Sequence, residues 1–156
     1  MVNVHSTIEQ VITYVQINSG KWIESPRNNV FGKDKRRHEF KVSINSSKDK
    51  IIFEFDSRTS NTGTILALDV SRFMIAVEFL NSKGDFVKIG ASTKELGPLD
   101  SLEYHLKTKT GNNTKTAPHI ADLLVLANIA EFGYIVPTSG RKVHGIKLVD
   151  SNSVLS

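Results

Sequence analysis

Cysteine is absent from all 156 residues. That excludes a disulfide framework, a thiolate nucleophile and any zinc site built on cysteine. It also suits a chain made and used in a reducing compartment. Long apolar runs are missing too. The longest, Leu123 to Ala127, is far too short to cross a bilayer, so no membrane partner is expected. Residues 1–6 show no basic stretch followed by an apolar one, so no secretory leader is expected there. Missing as well are Gly-x-x-x-x-Gly-Lys-Ser/Thr, Gly-x-Gly-x-x-Gly and Gly-x-Ser-x-Gly, which leaves phosphate-cradling loops and serine hydrolysis without sequence support. The five histidines, His5, His38, His105, His119 and His144, form no His-x-x-x-His pair. No metal site, cofactor or catalytic residue is assigned on these grounds.

What is present is an ordinary apolar share, 39%, enough for a core without covalent staples. Twenty basic residues stand against sixteen acidic ones, a net charge of +4. That is mild for a dedicated nucleic-acid binder. The basic residues concentrate in Lys33, Lys35, Arg36 and Arg37, with Arg141 and Lys142 as a second, smaller group. No repeat or composition break divides the chain, so one domain over 1–156 is expected.

Periodicity supplies the elements. Ser6-Thr-Ile-Glu9 has the form of a capping box. Ile8, Val11, Ile12 and Val15 then trace one face of a helix that stops near Gly20. Residues 19–37 are loop-like and hold Trp22, the sole tryptophan and a candidate interface anchor. Phe40, Val42 and Ile44 alternate with polar residues, and Lys50 to Asp56 forms a second strand across a short turn, an antiparallel hairpin. Leu66 to Lys83 reads as a helix with Leu66, Val70, Phe73, Met74, Val77 and Leu80 inward. A short strand over 85–90, a short helix from Pro98 to about Lys107, a polar loop over 108–116 and an apolar helix over 118–132 follow. Tyr134 to Val136 and Val143 to Val149 close the chain as a hairpin. The pattern predicts an α+β fold, with a small antiparallel or mixed sheet against the 118–132 and 66–83 helices.

Two carboxylates, Glu54 and Asp56, share one face of a strand, and Glu39-Phe-Lys41 imitates a nuclease tripeptide. The simpler reading makes Glu54 and Asp56 the solvent face, with Phe53 and Phe55 inward, and no active site is proposed.

The C-terminal third supports two readings. A helix followed by a strand, a basic turn at Arg141 and Lys142 and another strand resembles the last helix and wing of winged-helix regulators. The 85–90 strand before two helices would complete the small sheet. That resemblance implies nucleic acid as a partner, with Arg141, Lys142 and residues 35–37 on phosphates. The helix itself offers His119, Asp122, Asn128 and Glu131 and no Lys or Arg, which makes a groove-reading role the less favoured one.

The second reading rests on Leu126-Ala-Asn-Ile-Ala-Glu-Phe-Gly133 with Pro137 shortly after. This resembles the helix-ending Ala-x-x-x-Glu-Phe-Gly element of tailed-bacteriophage minor-tail and tail-completion (neck) proteins. The family's Pro-x-Arg-Pro-Phe continuation is replaced here by Pro137-Thr-Ser-Gly-Arg-Lys142. The resemblance implies a non-enzymatic virion subunit, homo-oligomeric and in contact with other virion proteins. Its interface candidates are Trp22, Lys33, Lys35, Arg36, Arg37, Tyr134, Arg141 and Lys142. Residence in the virion is the expectation, with the cytoplasm as the alternative.

Overall fold

The computed structural model describes residues 3–30, 39–55, 65–90, 101–111, 116–135 and 143–149. The fold is α+β, with two antiparallel sheets. Helix α1 (Val4–Ile17) buries Thr7, Ile8, Val11 and Val15 along one stripe. Its cap lies one turn before the expected box: the Asn3 side chain accepts from the Ser6 amide at 3.1 Å. Within the 19–37 stretch, the described part up to residue 30 is less loop-like than its composition suggests. It contains β1 (Ile23–Glu24) and the one-turn helix α2 (Arg27–Val30).

Strands β2 (Glu39–Ile44) and β3 (Lys50–Phe55) form the expected hairpin. The Asn45 side-chain oxygen accepts from the Asp49 and Lys50 amides to hold its turn. The next segment corrects the sequence reading. Ile65–Asp69 is strand β4, and the helix, α3, begins only at Val70 and runs to Lys83. Leu66 and Leu68 pair opposite Phe53 and Ile51 of β3, so their apolar spacing serves a sheet face with period two. The first sheet therefore has the order β1-β2-β3-β4. Its inner face carries Phe40, Val42, Ile51, Phe53 and Leu68, all buried.

The second half is α3, β5 (Val87–Lys88), α4 (Leu102–Thr110), α5 (Ala117–Leu126), β6 (Ala130–Ile135) and β7 (Val143–Leu148). Its sheet has the order β5-β7-β6, the last strand in the middle. A helix, a strand, two helices and a hairpin whose return strand pairs with the first strand is winged-helix connectivity. Helix α4 extends to Thr110, past the expected stop, and ends on Gly111 in the left-handed region. Pro98 lies outside the described residues.

Helix α5 ends six residues earlier than the sequence pattern suggests. Asn128 takes the left-handed conformation (φ 63°), a role asparagine tolerates. The amides of Asn128 and Ile129 bond back to the carbonyls of Val125 and Leu124 at 3.0 and 2.9 Å, a Schellman closure. Ala130, Glu131, Phe132 and Gly133 consequently belong to β6, and the Glu-Phe-Gly element is a strand and not a helix end. Gly133 is needed for another reason. A Cβ there would lie 2.6 Å from Cζ of Phe86, whose ring covers the glycine.

One continuous hydrophobic core joins both halves, from Val11 of α1 and Phe53 of β3 to Leu124 of α5 and Ile146 of β7. No helix among the described residues is long and apolar enough to cross a membrane.

Candidate functional site

In winged-helix connectivity the last helix, directly before the hairpin, is the one that meets a nucleic acid. Here no residue of α5 is exposed: seven of its ten are buried, and His119, Val125 and Leu126 are half-buried. The second half, through α3, α4 and β6, covers one side. Ile120, Leu123 and Leu124 are fully buried. The first half covers the other. The His119 ring lies 4.7 Å from the Phe55 ring and 5.9 Å from the Phe53 ring, both of β3.

One turn along, Asp122 is 1% exposed. A charge so placed in the most apolar helix of the chain needs partners. Arg27 supplies a fork: Nε donates to Oδ1 at 2.8 Å and Nη2 to Oδ2 at 3.0 Å. The buried Ser25 hydroxyl donates to Oδ1 at 2.9 Å, while its own oxygen accepts from the Arg27 amide at 3.3 Å. Ser25 thus starts the turn of α2 and aims Arg27 at α5. This arrangement is a clamp: Asp122 Oδ1 accepts from both the Ser25 hydroxyl and the Arg27 guanidinium, which ties the three side chains together.

The other end of α2 meets the hairpin. The Tyr134 hydroxyl donates to the Val30 carbonyl at 3.5 Å. His144 stands opposite Tyr134 in register, its ring 5.8 Å from the Tyr134 ring. Burial, and then the Arg27 charge, hold the His144 imidazole below its ordinary pKa. Val30 and Tyr134 are exposed by 41% and 40%. Arg27, Val30, Tyr134 and His144 therefore form one corner, where α2 meets β6 and β7.

Of the residues singled out from sequence, Tyr134 stands at this corner. Lys33, Lys35, Arg36, Arg37, Arg141 and Lys142 lie outside the described residues. Trp22 belongs to a different surface. It is 48% exposed on the first sheet, with the Lys41 ammonium 4.7 Å from its ring centroid. Glu54 is on that sheet too, 3.9 Å from Lys41, while Asp56 lies outside the described residues. No group of three or more potential metal-ligating His, Cys, Asp or Glu side chains occurs among the described residues.

Sequence reasoning missed Ser25, Arg27 and His144. Ser25 and Arg27 act on a residue more than ninety positions away, which no local pattern can indicate. The one available signal was Asp122 itself, a carboxylate inside an apolar helix. Comparison with protein-family models, with curated proteins and with solved structures returns no match.

Proposed function

We propose that the chain is a non-enzymatic winged-helix protein that grips the phosphate backbone of nucleic acid from the corner where α2 meets the β6–β7 hairpin. The carrying observation is the connectivity of α3 to β7, with β7 between β5 and β6. The corner supports it. Residues 31–38 continue directly from Val30, and residues 136–142 directly from Ile135. Together these two segments hold six Lys and Arg against one Asp. Two basic segments rooted at one corner suit a polyanion. With α5 sealed, contact falls on phosphates and carries little base readout.

The test is fluorescence anisotropy of a labelled random-sequence duplex across a salt series. Affinity should fall steeply with salt, and Arg141→Gln/Lys142→Gln should reduce the log–log slope by about two. Absence of binding at low salt overturns the reading.

A second reading, the virion assembly subunit, is favoured by one observation: the winged-helix surface that would read a groove is already covered within the chain. It requires self-association and capture of other virion proteins. A monomer in light scattering that retains no virion component removes it.

A further inference from the structure

Helices α3 and α4 carry a cluster that the corner does not use. The Phe79 and His105 rings stack at 4.3 Å with 23° between their planes. Lys83, one turn beyond Phe79 on α3, sets its ammonium 5.4 Å from the same ring centroid. Lys109 lies one turn beyond His105 on α4, so it shares the His105 face of that helix. Lys83 and Lys109 are both exposed, while Phe79 and His105 are half-buried. An aromatic pair flanked by two ammonium groups is the pattern on which nucleic-acid backbones are held: cations for phosphate, a planar floor for sugar or base.

We infer that Lys83, His105 and Lys109, gathered around Phe79, form a second phosphate contact for the nucleic-acid backbone. The inference rests on the nucleic-acid reading and adds to it a contact on different elements from the corner. Charge complementarity names the occupant. Burial first, and then the charges of Lys109 and Lys83, push the His105 imidazole below its ordinary value. The carboxylates nearest in sequence are Glu78 on α3, Asp85 just beyond its end and Glu103 on α4. Glu103 is buried within 3.8 Å of Lys107, Asp85 accepts from the Phe86 amide, and Glu78 is exposed. A phosphate placed between the two ammonium groups relieves their repulsion and favours protonation of His105. Binding through this surface is therefore tighter at lower pH.

The experiment is the same duplex titration with Lys83→Gln/Lys109→Gln, beside a Lys21→Gln/Lys48→Gln control elsewhere on the chain. The expected result is a salt slope lower by about two for the first pair and unchanged for the control. His105 adds a readout that a merely structural role would not move. The wild-type gain in affinity from pH 7.5 to 5.5 should shrink in His105→Gln. If wild type binds and the Lys83/Lys109 variant keeps both slope and affinity, this contact is wrong while the corner stands. If wild type binds no duplex at low salt, both fall.

Discussion

The two sides of α5 are buried by different means. On the face that carries Ile120 and Leu124, burial is hydrocarbon, within the core that joins both halves. On the opposite face, Asp122 is buried by a guanidinium fork and a hydroxyl from the first half. Hydrocarbon packing degrades in proportion to what is removed. A buried ion pair does not: it contributes little net stability when intact, yet losing one partner strands a charge. The first half thus covers α5 with a contact that holds one arrangement closely and resists partial loss.

Arg27→Ala is the sharpest way to break that comparison. It leaves Asp122 buried without its fork, and a loss of about 3–5 kcal/mol follows. At roughly 2–4 °C per kcal/mol for a chain of this size, the melting temperature should fall by about 6–20 °C. Adding Asp122→Asn to Arg27→Ala should recover part of the loss, because the stranded charge is gone. Additive losses in the double variant would show that the fork is not what matters. Leu124→Ala, on the hydrocarbon side, should cost about 2–5 kcal/mol with no partner substitution able to restore it, measured by urea denaturation.

A smaller effect is expected at the hairpin. Gly133→Ala drives a methyl into the Phe86 ring, and overpacking of this kind costs about 1–3 kcal/mol. Phe86→Leu in the same chain should give some of it back. If Gly133→Ala is neutral, the ring shifts freely and the close approach does not explain the glycine.

Much of this fold can be read from periodicity. The stripe of Ile8, Val11 and Val15 and the alternation of Phe40 and Val42 both match their burial. The failures have local causes. Leu66, Val70 and Phe73 continue one helical stripe, but Leu68 pairs with Ile51, and that tertiary pairing turned Ile65–Asp69 into a strand. Short apolar runs of this length are ambiguous by pattern alone. The end of α5 was misplaced because Gly133 is a more familiar terminator than Asn128, which does the work. The candidate site was less legible still. Tyr134 was visible as an aromatic beside a basic turn, but the residues that place it against α2 come from the other end of the chain.

The last difference between regions is electrostatic. His144 sits at the corner beside Arg27, and His105 sits between α3 and α4 beside Lys83 and Lys109. Both are held below the ordinary histidine value of about 6.5, by burial first and by neighbouring cations second. The unfolded chain therefore binds protons at a pH where the folded chain does not. Stability from these groups is complete above the unfolded value and is lost as pH falls toward the folded values. The Asp69 carboxyl, lowered by its bond to Lys50, acts in a separate and more acid window, below its ordinary 3.8. A urea midpoint at pH 5.5 should thus lie modestly below that at pH 7.5. His105→Gln and His144→Gln should each remove part of the difference. Arg27→Ala should shrink the His144 share alone, since the charge that opposes its protonation is gone. An Arg27→Ala chain with an unchanged His144 contribution would separate the corner from the clamp and break the link between the covered face of α5 and the surface beside it.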